Sequence, residues 1–161
     1  MSAFTKLIKD QKKQASKKKN RFNLEANTNA NRVGLYCACG SKKSYKLCCS
    51  RIHKNIYLAT SPLALMKSRY VAFVMGDIDF LMLSHHSSTR PDQEKDEILR
   101  WTQSINWSNL EITEVEPVHQ QEGFVSFKAS YTDKDVPHVI YEKSRFVIEN
   151  NHWTYIDGIH F

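Results

Sequence analysis

Cysteine is missing from almost all of this 161-residue chain, and that absence directs the reading of the rest. All four cysteines fall within thirteen residues, Cys37 to Cys49, and the 112 residues that follow have none. A framework of disulfide staples, which spreads cysteines along a secreted domain, is therefore not expected. Glycine and proline are also sparse, at five and four. No glycine-rich phosphate loop, Gly-x-Ser-x-Gly elbow or His-Glu-x-x-His pair occurs. No stretch approaches the roughly 20 apolar residues that span a bilayer. Residues 1–20 hold no apolar run long enough for a secretory signal, so the expectation is a cytoplasmic protein without membrane insertion.

Acidic residues are scarce at one end. Residues 1–56 hold fourteen Lys and Arg against two Asp and Glu, a net of +12. Residues 57–161 hold nine against fifteen, a net of −6. Residues 1–33 are poor in core formers and carry Lys12, Lys13, Lys17, Lys18, Lys19 and Arg21, whose mutual repulsion predicts a flexible, anion-contacting arm. A basic head on an acidic body points to nucleic acid or a ribosome, less readily to a membrane surface.

The pattern Cys37-x-Cys39-x8-Cys48-Cys49 supplies four sulfurs, the number that closes a tetrahedral zinc site. Gly40-Ser41 lets the backbone turn after the first pair. Iron is the other metal that four sulfurs accept. A disulfide pair and free thiols are the metal-free alternatives, and His53 is a substitute ligand. The module is too small to hold a core alone, so binding and local folding are expected to be coupled.

Beyond the cluster, Ser61-Pro62 opens a helix with Leu63, Met66, Tyr70, Phe73 and Val74 on one stripe. Gly76 ends it and Asp77 caps a second helix. Asp92, Glu94, Asp96 and Glu97 suit the first turns of a third, with Ile98, Trp101 and Ile105 inward. Strands follow at 110–118, 124–131, 137–149 and 153–159, with turns at Glu122-Gly123, 132–135 and Asn150-Asn151. Helices followed by sequential antiparallel strands predict an α+β domain with helices packed on one side of a curved sheet.

CACGSKKSYKLCC resembles the SEC-C motif, a zinc-binding sequence that also ends the SecA translocation ATPase. That motif runs Cys-x-Cys-Gly-Ser, then Tyr, then Cys-Cys or Cys-His, which puts its ligand positions on Cys37, Cys39, Cys48 and Cys49. The stretches 65–81, 86–90, 123–131 and 141–158 are similar to the YchJ-like bacterial proteins. The resemblance implies a nuclear transport factor 2-like (cystatin-like) cone of helices wrapped by a bent antiparallel sheet at 57–161, behind a zinc module at 34–56. Many relatives place a second SEC-C motif at the C-terminus; here no cysteine follows Cys49. The resemblance also implies docking on the export machinery or on the ribosome and its RNA, and the expectation is a non-enzymatic accessory protein.

The alternative function is a small-molecule carrier, or a hydrolase or isomerase, using a pocket in the cone. Its candidate residues are Tyr70, His86, Glu142, Arg145 and Asp157, with Glu142 as a desolvated base and His86 as acid. The structural counterpart is an ion pair of Glu142 or Asp157 with Arg69 or Arg145. His85-His86 reads as a polar helix end, and Trp101, Trp107 and Trp153 as core.

Overall fold

The structure is a computed structural model that describes residues 36–161. The basic arm expected at 1–33 lies outside the described residues. Four α-helices lead into four strands among those described: α1 (Cys49–Lys54), α2 (Pro62–Met75), α3 (Ile78–Leu83) and α4 (Lys95–Ser104), then β1 (Asn106–Val115), β2 (Glu122–Asp133), β3 (Val136–Glu149) and β4 (His152–His160). The strands form one antiparallel meander in the order β1-β2-β3-β4.

The helix boundaries follow local chemistry. Ser61 Oγ accepts from Ala64 N–H, Pro62 takes the first position, and Gly76 closes α2 in the left-handed conformation. Asp77 then accepts from Phe80 N–H to start α3. Side-chain caps of this kind satisfy N–H groups that the helix leaves unpaired. The buried face of α2 is broader than its apolar stripe. Ser68, Arg69, Val71 and Ala72 are buried with Leu65, Met66 and Tyr70, because the helix lies between the sheet, α3 and α1.

Strand boundaries differ from expectation most at β1, which ends at Val115 rather than 118, and at the turn before β2. β1 begins at Asn106 rather than 110, since Trp107 pairs with Tyr131 and joins an aromatic group with Tyr70, Phe73 and Trp101. The turn expected at Glu122-Gly123 falls at Gln120-Gln121, both at positive φ. Gly123 is instead a strand residue set against α2, where a Cβ would lie 2.5 Å from Pro62 Cγ. Close approach, not turning, is its reason. The hairpin residues Asn150 and Asn151 have φ of 49° and 64°, as the expected turn requires.

The core runs between the helices and the inner sheet face through Leu65, Val71, Phe80, Leu81, Val125 and Phe146, each no more than 3% exposed. Trp101 and Trp153 belong to it, and Trp107 packs partly buried against it. Leu65→Ala should cost about 2–5 kcal/mol, read as a drop in the urea midpoint at unchanged slope. Leu47→Ala, at a side chain 68% exposed, should shift stability by less than about 0.5 kcal/mol.

Candidate metal centre and cone cavity

Cys37, Cys39, Cys48 and Cys49 converge, their sulfurs all within 4.8 Å of one another. Cys39 Sγ lies 3.6 Å from Cys48 Sγ, which lies 3.9 Å from Cys49 Sγ. Sulfurs bound tetrahedrally at about 2.3 Å from a metal stand about 3.8 Å apart, whereas a disulfide closes to about 2.05 Å. All four cysteines are free thiols, and three are buried. The donor set and its spacing therefore fit a four-sulfur metal site and not a disulfide pair.

Local structure builds this site. Gly40 takes a φ of +79° directly after Cys39, Cys37 N–H donates to Lys43 O at 2.6 Å, and Ser41 Oγ donates to Cys48 Sγ at 3.2 Å. Hydrogen bonding with Cys37 and then Cys49 drives the Cys39 thiol well below the ordinary range. The contact with Cys39 pushes Cys37 up against an opposing effect of Cys49, and contacts with Cys37 and then Cys39 push Cys49 up. Four thiols packed this closely cannot all lose their protons unless a cation replaces them.

His53 is not part of the cluster. Its Nδ1 meets Tyr45 Oη at 3.0 Å, its Nε2 meets the Ser68 carbonyl at 2.9 Å, and its ring lies 4.4 Å from that of Phe80. It fastens the cysteine module to the middle of α2.

A cavity of about 360 Å³ lies inside the cone. Tyr70, Glu142 and Asp157 of the expected pocket residues line it; His86 and Arg145 do not. His85 lines it instead. The backbone explains the exchange. His85 pairs with Tyr155 in a parallel bridge, and His86 N–H donates to Tyr155 O at 2.8 Å. Successive side chains on an extended segment face opposite ways, so His86 faces out, where it meets Ser88 Oγ at 2.7 Å and lies 3.6 Å from Glu149. Burial holds His85 far below its usual value, at about 3, with Arg69, Arg90 and His86 adding to the effect. It is neutral at physiological pH.

A bulge in β4 keeps Asp157 at the edge of the cavity. Phe146 pairs with Tyr155 and Arg145 with Asp157, leaving Ile156 as the extra residue. A bulge re-aims the side chains that follow it. Tyr155 therefore faces the cavity, while Asp157 accepts two hydrogen bonds from Arg145, at 2.8 and 2.6 Å. This is one of the expected ion pairs, but it sits half-exposed rather than inside the cone.

Glu142 and Ser144 are buried on the inward face of β3, with the Ser144 hydroxyl donating to Glu142. Gly158 makes their arrangement feasible: a Cβ there would stand 2.3 Å from Glu142 Oε1. Arg69, Tyr155 and His160 add to the polar lining; of these only Arg69 was expected, and as an ion-pair partner of Glu142 or Asp157 rather than as a pocket residue. Arg69 lies three and four residues from Met66 and Leu65, so a cation on the apolar stripe was the available signal. Gly158→Ala should displace the Glu142 carboxylate and lower stability by about 1–3 kcal/mol. Glu142→Ala in the same chain should recover most of that loss, as read by thermal denaturation.

Comparison with known proteins fits this architecture. The family model for the middle NTF2-like domain of YchJ matches residues 61–158. A UPF0225 protein of Enterobacter sp. strain 638 is 42% identical over 123 residues, 76% of this chain and 81% of its own. A UPF0225 protein of Vibrio parahaemolyticus is 37% identical over 123 residues, 76% of this chain and 73% of its own. The solution structure of a SEC-C motif containing protein from Rhodopseudomonas palustris superposes with a TM-score of 0.71 at 26% identity, covering 78% of this chain and 98% of that one. A crystal structure of a SEC-C motif containing protein from Psychrobacter arcticus has a TM-score of 0.67 at 23% identity, covering 78% and 81%, and supports the fold alone. With its four-cysteine cluster placed before an NTF2-like cone, the chain belongs to the YchJ-like UPF0225 family.

Proposed function

We propose that this protein is a cytoplasmic, non-enzymatic accessory factor in which zinc holds a basic module that docks, together with the basic arm, on RNA of the ribosome. The observation that carries this reading is the charge around the cysteine cluster. Lys42, Lys43, Lys46, Arg51 and Lys54 are all exposed, and residues 36–58 contain no Asp or Glu. Exposed Tyr36, Leu47 and Tyr57 sit among them. Zinc is the reading for the metal because four thiolates satisfy its preferred tetrahedral geometry. The two charges it supplies only partly offset four thiolates, yet the five exposed cations leave the surface positive.

Four sulfurs leave a tetrahedral metal no open position for substrate or water. The metal's role in this account is to shape a contact surface. No helix among the described residues is long and apolar enough to cross a membrane. Contact with the export machinery is the competing reading, and it predicts a different response to salt.

Purified full-length protein should carry about one equivalent of zinc, and metal-free protein with oxidised cysteines would refute the assignment. Binding to purified ribosomes should weaken by at least about tenfold between 50 and 200 mM salt. Deleting residues 1–33 should flatten that dependence. Cys48→Ser should weaken binding even with the arm intact. Salt-insensitive binding, or capture of an export protein without RNA, would overturn the electrostatic reading.

A further inference from the structure

The cone cavity holds an unresolved polar account. Its volume of about 360 Å³ lies within the range of about 300–1,000 Å³ typical of small-molecule sites. Most of the wall is apolar, with Met66, Phe73, Phe127, Ile140 and Phe146 prominent. Set into this wall is Arg69, a cation 9% exposed. Its hydrogen bonds both leave from Nη1, at 2.9 Å to the Leu81 carbonyl and 2.6 Å to Ser84 Oγ. Those contacts tie down the end of α3. The guanidinium is a fork of five N–H donors; its face lies 4.8 Å from the Tyr155 ring, and among the described residues Nε and Nη2 donate no hydrogen bond. Among the described residues Arg69 is in no ion pair. A buried charge without a counterion is costly.

Two further observations fall in the same place. Among the described residues, the buried side-chain polar atoms without a hydrogen-bond partner are Trp107 Nε1 and His160 Nδ1. Both residues line this cavity. His160 Nδ1 stands 3.4 Å from Glu142 Oε2 without the alignment of a hydrogen bond. Arg and Trp side chains only donate, so the missing partner is an acceptor. Buried orphans of this kind call for a specific explanation.

The remaining groups narrow the ligand's charge. Glu142 is engaged by Ser144 and disfavours a second anion beside it. His85, neutral for the reason given above, supplies no competing cation. Burial depresses Arg69 to about 10, with Tyr155 and Glu142 only partly opposing it, so it stays protonated at neutral pH. Tyr70 and Tyr155 are held as neutral phenols, since burial pushes both up. One cation facing one carboxylate across an apolar chamber suits a ligand with a single negative charge, and a planar carboxylate matches the guanidinium fork.

We propose that the cone cavity binds a small monocarboxylate with an apolar body, its carboxylate received by Arg69 and its body packed against Phe127, Ile140 and Phe146. This site is independent of the metal module and of its partner. The test uses the full-length protein with phenylacetate and hexanoate, and with the uncharged amides of each, followed by calorimetry. Each acid should bind at least about tenfold more tightly than its amide. Arg69→Met should remove that preference while leaving amide binding in place, and Arg69→Lys should restore part of it. Circular dichroism establishes that each variant is folded; should Arg69→Met not fold, the acid-to-amide ratio of the unaltered protein decides. Equal binding of acid and amide would overturn the proposal. So would binding of none of the probes, or preference for phenethylamine that disappears in Glu142→Gln.

Discussion

Four sulfurs gathered within 4.8 Å impose the constraint on which the N-terminal part of this structure depends. As anions they repel, and as thiols they contribute little packing, so a cation is the agent that can hold residues 36–58 in shape. Few large apolar side chains are buried in that segment apart from Ile56. Its tie to the cone is a specific one, His53 bridging Tyr45 and the Ser68 carbonyl. Disturbing the sulfurs therefore disturbs the seat of His53, and through it the middle of α2.

Helix α2 thereby serves two sites. The Ser68 carbonyl meets the cysteine module, and the next side chain, Arg69, enters the cone and secures the end of α3. The sheet completes the arrangement from the other side. The β4 bulge sends Tyr155 inward, where its ring lies 4.8 Å from the Arg69 guanidinium carbon, and lets Asp157 engage Arg145 outside. The surface proposed for docking and the enclosed chamber are thus built by neighbouring residues without sharing a functional group, so the two proposals can be tested separately.

The sequence made some of this legible through strictly local signals. Ser61-Pro62, Gly76 and Asp77 mark helix ends because capping depends on adjacent residues. The cysteine spacing marks the metal site because all its ligands come from one short segment. Period-two alternation placed Glu142, Ser144 and Phe146 on one inward face of β3. What sequence did not disclose depends on distant chain segments. His85 rather than His86 lines the cavity because of a bridge to Tyr155, seventy residues away. Asp157 stays at the cavity's edge, paired with Arg145, because of a one-residue bulge that leaves no local mark. Gly123 resembled a turn residue, but its bareness answers to Pro62 across the core. Arg69 was expected as an ion-pair partner of Glu142 or Asp157; tertiary packing encloses it as that reading required, but turns its hydrogen bonds to the Leu81 carbonyl and Ser84 instead.

The central claim is that a metal orders the cysteine module and that this order reaches α2 through His53. Hydrogen exchange read by mass spectrometry on the full-length protein, with and without a chelator, tests it directly. The account predicts that metal removal sharply lowers protection in peptides from 36–58, and to a lesser degree in the turn of α2 around Ser68. Peptides from β2 and β3 should be unchanged. Unaltered exchange in 36–58 after the metal is stripped, or uniform loss of protection across the sheet, would contradict it.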